Sequence, residues 1–178
     1  MKDALSHGDW AIDATAGNGS DTLFLAQLVG DAGHVYSFDI QSAAIARTKE
    51  LLNKHGLNKR VTLINSGHQN MDKYVKKEVK AVIFNLGYLP RGDHAIVTTP
   101  VNTVTALKKS ISLLQTNGII SAVVYSGHCG GEDEKIAVEE FFSRLDKKDY
   151  DVIKTYHINR KATAPFILVA QKLTNKSY

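Results

Sequence analysis

The sequence predicts an α/β fold with a seven-stranded, mostly parallel sheet, an antiparallel last strand and helices on both faces. Three observations predict this class. Apolar runs alternate with segments of helical periodicity along most of the 178 residues, as in a parallel sheet between two helical layers. A glycine turn, Gly17-Asn-Gly19, separates the first apolar run from the first helical segment. The last two apolar runs have no helix between them, so they should pair as an antiparallel hairpin at one edge.

Each element can be placed in order along the chain. Strands are expected at Trp10–Ala14, His34–Asp39, Val61–Ser66, Ala81–Leu86, Ile119–Tyr125, Asp151–Ile158 and Phe166–Lys172. Helices are expected at Asp21–Val29, Ser42–Lys54, Asn70–Lys76, Val101–Leu114 and Asp133–Leu145. Gly30, Gly56 and Gly118 follow three of these helices, where a residue in the left-handed conformation commonly ends a helix.

Length and composition narrow the class of protein. A chain of 178 residues predicts a single domain over residues 1–178. Its 43% hydrophobic and 22% charged residues are typical of a globular protein. No apolar run has the length of a membrane span and no signal peptide precedes the first strand, so we expect a cytoplasmic protein with no membrane partner. Cys129 is the one cysteine, which excludes an internal disulfide and a cysteine-based zinc site; no metal is expected.

The charge balance permits a polyanionic partner without requiring one. The formal net charge is +4 and the isoelectric point is about 9.1. Lysines and arginines cluster before the third and fourth strands and again at Arg160 and Lys161. Either charged helix ends or a surface that follows phosphates would produce this distribution.

The first turn and the second strand predict a nucleotide-containing cofactor. Asp13 stands four residues before Gly17, and an acid there suits a ligand with an ammonium or sulfonium charge. S-adenosylmethionine is such a ligand. A dinucleotide is disfavoured because Thr22 occupies the third small position of that fingerprint. The two turn glycines allow close backbone approach, and Asp39 at the tip of the second strand can accept both ribose hydroxyls. The alternative is a tight turn with a surface aspartate.

The loops at the carboxyl ends of the third, fourth and fifth strands should carry the remaining chemistry, because ligands of open α/β sheets bind there. After the third strand, His68 and Gln69 could flank or hydrogen-bond an adenine; a solvated surface histidine is the alternative. After the fourth strand, Asn85 offers a carbonyl to an incoming amine, and Tyr88 offers a ring and a phenol. A loop that serves only as a structural turn is the alternative there.

Two details of these loops bear on the acceptor. Enzymes that methylate the amine of a planar base carry two prolines where Leu86 and Gly87 stand here, so the backbone clamp for a flat amine is missing. After the fifth strand, His128 lies among glycines and is a candidate for substrate contact or proton removal. Attack of Cys129 on a pyrimidine ring is a further alternative, although no neighbouring residue in the sequence marks a lowered thiol pKa.

Five segments together resemble the YtqB-like family of methyltransferases, long labelled rRNA methylases, over nearly the whole chain. The segments are Asp13-Ala-Thr-Ala-Gly-Asn-Gly-Ser-Asp-Thr22, Phe38-Asp-Ile-Gln41, Gly67-His-Gln-Asn-Met71, Phe84-Asn-Leu-Gly-Tyr-Leu-Pro90, and Tyr125-Ser-Gly-His128 with Gly130-Gly131. The family includes the MnmM enzymes, which methylate the amine of 5-aminomethyl-2-thiouridine at the wobble position of tRNA. Members usually carry a further helix before the first strand, whereas nine residues precede Trp10 here.

The resemblance implies a Rossmann-like class I methyltransferase fold and a tRNA-modifying enzyme. An aminomethyl acceptor is a flexible aliphatic amine that would not need the proline clamp, but it must lose a proton before it attacks. The implied partner is the anticodon stem-loop of tRNA. Monomer and homodimer are both compatible with the sequence. Rival functions are an rRNA base methyltransferase, a small-molecule methyltransferase and a non-catalytic module that binds S-adenosylmethionine or RNA.

The predicted site residues fall into three groups. The cofactor residues are Asp13, Ala14, Thr15, Gly17, Asn18, Gly19, Asp21, Thr22, Asp39, Ile40, Gln41, Gly67, His68, Gln69, Asn85 and Leu86. The catalytic candidates are Asn85, Tyr88, Asp93, His94 and His128. The RNA-binding candidates are Arg91, Tyr125, Asn159, Arg160 and Lys161.

Overall fold

Strands rich in apolar and β-branched residues assemble into one seven-stranded sheet. The structure is a computed structural model and describes residues 4–87, 97–127, 130–161 and 163–174. The strands are β1 (Trp10–Asp13), β2 (His34–Asp39), β3 (Val61–Asn65), β4 (Val79–Leu86), β5 (Leu114–Val124), β6 (Tyr150–Thr155) and β7 (Phe166–Lys172). Their order across the sheet is β3-β2-β1-β4-β5-β7-β6. All seven predicted strands are present, although β5 begins at Leu114 rather than at Ile119 and β6 ends at Thr155 rather than at Ile158.

Strand direction places the carboxyl ends of five neighbouring strands along one edge. Strands β1 to β5 pair in parallel, whereas β7 runs antiparallel to both β5 and β6. The predicted mostly parallel sheet with an antiparallel last strand is confirmed. The residues that follow β1, β2, β3, β4 and β5 therefore lie side by side, and the loop after β6 lies at the same edge.

Helices cover both faces of the sheet. They are α1 (Ser20–Val29), α2 (Ser42–Lys54), α3 (Met71–Tyr74), α4 (Pro100–Leu113) and α5 (Gly131–Ser143). Leu25 of α1 and Leu52 of α2 are buried in one apolar cluster with Ala81 of β4. Leu107 of α4 and Phe142 of α5 belong to the cluster on the opposite face. Among the described helices, none combines the length and apolar character needed to cross a membrane.

Two further local predictions differ from the structure. Helix α3 has a single turn instead of Asn70–Lys76, because Val75 already has extended backbone angles. Gly118 does not end a helix: α4 leads directly into β5, and Asn117 is the residue with positive φ, 59°. Gly30 and Gly56 do follow helices with positive φ, 67° and 69°, although the ψ of −167° takes Gly30 out of the left-handed helical conformation.

Candidate functional site

The glycine turn after β1 is held by its neighbours on both sides. Gly17 and Gly19 have φ of 55° and 86°, values that favour glycine. The N–H of Gly17 donates to Oδ2 of Asp39 at 2.9 Å. A Cβ on Gly19 would come within 3.0 Å of the Cα of Thr48 in α2. The turn thus needs glycine for its backbone angles and for the approach of α2.

Asp39 lies at the carboxyl end of β2 and is already a hydrogen-bond acceptor. Oδ2 accepts from Gly17, and Oδ1 accepts from the N–H of Gln41 at 2.9 Å. Burial raises the pKa of Asp39, and the backbone donors oppose that rise. A carboxylate oxygen can accept two hydrogen bonds, so each oxygen keeps a position for a hydroxyl donor. This arrangement suits a neighbouring pair of hydroxyls, such as those of a ribose.

A cavity of about 420 Å³ opens along this edge of the sheet. Its walls come from the loops after β1 to β5 and from the segment that leads into α4. Thirteen of the sixteen predicted cofactor residues line it: Ala14, Thr15, Gly17, Asn18, Asp21, Asp39, Ile40, Gln41, Gly67, His68, Gln69, Asn85 and Leu86. Tyr125, predicted to contact RNA, lines it as well.

Asp13, Gly19 and Thr22 are not among the residues that line the cavity. Asp13 is completely buried; its Oδ2 accepts from the hydroxyl of Thr22 at 2.5 Å, and its Oδ1 accepts from the N–H of Thr15 at 3.1 Å. Burial raises the pKa of Asp13 to about 7. The expected contact between this carboxylate and a cationic ligand is thus replaced by an internal role, since Asp13 holds the turn from beneath. Asp21 is the acid of the turn that lines the cavity.

Asn85 joins three elements at the cavity. Its backbone N–H donates to the hydroxyl of Thr15 at 2.7 Å, and its side-chain Nδ2 donates to Oδ2 of Asp21. The amide is thereby oriented, because its nitrogen is committed to Asp21. Oδ1 is left as the acceptor that Asn85 can offer to a ligand.

His68 is a buried wall residue, so the alternative of a solvated surface histidine is wrong. Its side chain is 7% exposed, its Nδ1 lies 3.1 Å from the carbonyl oxygen of Ala14, and its ring meets Phe84 edge-on at 5.7 Å. Burial lowers the pKa of His68. A neutral ring that donates from Nδ1 to a carbonyl presents Nε2 as an acceptor. The turn that carries His68 is anchored by Lys109, whose Nζ donates to the carbonyl oxygen of Gln69 at 2.5 Å.

Several predicted residues stand elsewhere. Asn159, Arg160 and Lys161 are exposed on the loop between β6 and β7, at the cavity edge of the sheet. Five candidates lie outside the described residues: Tyr88, Arg91, Asp93, His94 and His128. Cys129 also lies outside them. Within the described ranges, no cluster of three or more histidine, cysteine, aspartate or glutamate side chains could hold a metal ion.

One wall of the cavity was not among the predicted cofactor residues. Val97, Thr98, Thr99 and Asn102 line it, just before and within the first turn of α4. The signal was Thr98-Thr99-Pro100, a polar pair before a proline that starts a helix. It follows the fourth strand, so it returns the chain to the same edge of the sheet.

Two proteins that are similar to this chain in sequence are named as methylating enzymes. A protein of Arabidopsis thaliana described as "tRNA (mnm(5)s(2)U34)-methyltransferase, chloroplastic" is 40% identical over 181 residues, which cover 96% of this chain. The chain spans 66% of that protein's length. A solved Clostridium thermocellum structure, titled a putative rRNA-methylase, is 50% identical with a TM-score of 0.94, over 97% of this chain and 92% of that one.

A second solved structure adds a ligand. SMU.1697c of Streptococcus mutans, a putative methyltransferase in complex with SAH, is 40% identical with a TM-score of 0.89, over 97% of this chain and 93% of that one. The family model described as "Putative rRNA methylase" matches residues 35–171. These matches confirm the resemblance drawn from the sequence motifs and the class I methyltransferase fold that it implied. The chain belongs to this rRNA methylase family.

Proposed function

We propose that this chain is an S-adenosylmethionine-dependent tRNA methyltransferase that methylates the amine of 5-aminomethyl-(2-thio)uridine at the wobble position. The observation that carries the proposal is the junction of Asn85 with Asp21 and Thr15 inside a cavity whose walls bear the predicted cofactor residues. The identity to the Arabidopsis protein supports the choice of acceptor.

The cavity residues suit the proposed cofactor. Asp39 keeps acceptor positions for the two ribose hydroxyls, and the glycine turn admits close backbone approach. Ile40 and His68, on the β2 and β3 side, would border the adenine. Asp21 provides a negative charge on the wall nearest β1. The cofactor supplies an electrophilic methyl group carried on a sulfonium.

The acceptor would meet Asn85 on the β4 side of the cavity. Oδ1 of Asn85 can accept one N–H of the amine and so direct the nitrogen lone pair toward the methyl group. An aliphatic amine is largely protonated at neutral pH, so one proton must leave before attack; as the N–C bond forms and the methyl–sulfur bond breaks, the secondary ammonium that results keeps its two protons. Asp21, which is one hydrogen bond away from Asn85, and cavity water are the acceptors we propose. Tyr88, Asp93, His94 and His128 stay predictions as further contacts.

The loop between β6 and β7 would hold the RNA backbone. Arg160 and Lys161 are exposed there beside Asn159, and the exposed Tyr156 and Ile158 precede them. Cations on phosphates together with exposed rings for unpaired bases are typical of recognition of single-stranded RNA loops. Tyr125, 43% exposed just after β5, lines the cavity on the side that faces β7 and β6. We propose the anticodon loop of cytoplasmic tRNA as the partner.

One incubation tests the proposal. Methyl-labelled S-adenosylmethionine is incubated with tRNA and, separately, rRNA from cells lacking this protein, and the digested nucleosides are analysed by mass spectrometry. Label on the aminomethyl group of the wobble uridine is expected. Label in rRNA alone would overturn the substrate. No label in either RNA, despite binding of the cofactor, would favour a small-molecule acceptor or a non-catalytic binding module.

A further inference from the structure

A buried carboxylate outside the cavity lining connects two helices with the cavity wall. Glu134, in the first turn of α5, is 1% exposed. Its Oε1 accepts from the hydroxyl of Thr103 and its Oε2 from the hydroxyl of Thr98, each at 2.6 Å. A buried carboxylate is costly unless it is hydrogen-bonded, and these donors partner both of its oxygens.

Thr98 extends this contact to the end of β4. Its hydroxyl accepts from the N–H of Gly87 at 2.8 Å while it donates to Glu134. The N–H of Thr98 donates in turn to the carbonyl oxygen of Gly87 at 2.9 Å. A hydroxyl that donates and accepts at once is polarised by both partners, which strengthens each bond. Gly87 is therefore held at both backbone polar groups by one residue.

Gly87 has no side chain whose packing could replace these hydrogen bonds. Its φ is 143°, which favours glycine. It stands two residues after Asn85, and both Gly87 and Thr98 line the cavity. Asp39 ends β2 and His68 follows β3, and both of these strands lie on the far side of β1. The chain from Glu134 through Thr98 to Gly87 thus ends at the wall where the acceptor would enter.

We propose that Glu134 is a positioning residue for methyl transfer: through Thr98 it fixes the backbone of Gly87 and so the place where the acceptor amine meets Asn85. This inference rests on the proposed function. It assigns Glu134 no contact with substrate or cofactor. Its effect should therefore appear in turnover of RNA more than in affinity for the cofactor product.

The two threonines provide a matched pair of variants. Thr98→Val and Thr103→Val each remove one hydroxyl donor from the same carboxylate, so both should lower the melting temperature; Thr98→Val also removes the acceptor of the Gly87 N–H. Thr103 is completely buried between α4 and α5 and does not line the cavity, whereas Thr98 alone of the two holds Gly87. Any difference between the variants in catalysis then reports on the wall and not on the burial of the carboxylate.

The experiment measures kcat and KM for tRNA, the Kd for S-adenosylhomocysteine and the melting temperature. We expect Thr98→Val to lower kcat/KM for tRNA about tenfold or more, since small misplacements of reacting groups are costly, with a smaller change in the Kd. Glu134→Gln should show the same split, and Thr98→Ser, which keeps the hydroxyl, should restore activity. Thr103→Val should retain the wild-type kcat/KM. Equal kcat/KM in Thr98→Val and Thr103→Val, or a parallel loss of cofactor affinity, would overturn the inference.

A second measurement separates this inference from the proposed function. Hydrogen exchange of the Gly87 amide should be faster in Thr98→Val than in Thr103→Val. If the wild-type protein does not methylate tRNA, the proposed function fails, and the positioning of Gly87 is still decided by exchange. Equal exchange in the two variants would reject it whatever the substrate is.

Discussion

The side-chain amide of Asn85 donates to the carboxylate of Asp21, which ties the end of β4 to the first turn of α1. An asparagine amide presents a donor and an acceptor that exchange places when the group flips. Asp21 accepts hydrogen bonds only, so it selects the orientation in which Oδ1 of Asn85 is available to a ligand. The acid therefore determines which end of the amide an incoming amine would meet.

Asn85→Ala should abolish turnover while cofactor affinity changes by less than about threefold, if Asn85 serves the acceptor as proposed. Asp21→Asn should also lower kcat, since the amide at position 85 would no longer have one favoured orientation and the proposed proton acceptor would be lost. Steady-state kinetics on tRNA and calorimetric titration with S-adenosylhomocysteine measure both effects. Equal losses of affinity and turnover in Asn85→Ala would remove Asn85 from the acceptor side.

Asp39→Asn should weaken S-adenosylhomocysteine binding by about ten- to a hundredfold, because hydrogen bonds to a charged acceptor are among the stronger ones. The amide also sets an N–H against Gly17 or Gln41, whose N–H groups now donate to the carboxylate. The matched ligand is the 2′,3′-dideoxy analogue, for which the variant and the wild-type protein should differ much less. If Asp39→Asn weakens the binding of S-adenosylhomocysteine and of its dideoxy analogue by the same factor, Asp39 does not recognise the ribose hydroxyls.

Asp13 should make the stability of the protein fall between about pH 4 and pH 7. Its folded pKa is raised from 3.8 to about 7 by burial, so in this range the folded state holds a proton that the unfolded state has released. The stability that Asp13 contributes is thus complete below the unfolded pKa and is lost as the pH rises through 7. Urea unfolding at a series of pH values measures it.

Asp13→Asn should remove this dependence, because an amide can accept from the N–H of Thr15 and donate to Thr22 without titrating. Asp151→Asn, at an exposed residue, is the control for loss of one carboxylate. The pH profile of Asp13→Asn should be flatter than both other profiles. Parallel curves for all three proteins would show that Asp13 is ionised in the fold.

The Arg160→Glu and Lys161→Glu double variant should weaken tRNA binding and reduce the magnitude of the slope of log K against log salt by about one to two, if each cation neutralises a phosphate. Lys147→Glu with Lys148→Glu makes the same charge change in the exposed loop before β6, at the opposite edge of the sheet. Filter binding at several salt concentrations compares them. An equal slope in the two double variants would exclude the β6–β7 loop from the RNA interface.

The sheet was predictable from the sequence because apolar periodicity and glycine punctuation are local. Strand β2 and helix α2 have the predicted bounds. Strand β7 also has the predicted antiparallel direction and forms the predicted hairpin with β6. The length of α3 was overestimated because the helical spacing of Met71 and Val75 is satisfied by a single turn as well as by a longer helix. The prediction that Gly118 ends a helix was wrong because Asn117, which also tolerates positive φ, takes the left-handed position before it.

The cavity was predictable to the level of loops but not of individual carboxylates. Asp13 and Asp21 flank the same turn, and their spacing does not tell which one faces inward; the pairing of Asp13 with Thr22 depends on the packing of α1 on β1. The burial of Glu134 was not predictable for a similar reason, since an acid in the first turn of a helix is ordinarily a favourable surface charge. Its burial depends on two threonines more than thirty residues earlier in the chain.

The place of β7 in the sheet has a consequence for synthesis of the protein. Strand β7 is the last strand along the described chain, yet it lies between β5 and β6, and β6 pairs with β7 alone in the described sheet. On the ribosome, β1 to β5 and their loops can assemble while β6 still has no neighbour and one side of β5 is open. Cofactor captured by the nascent chain would stabilise this half-built sheet. The surface proposed for RNA would form last, so the cofactor site could be complete before tRNA can dock.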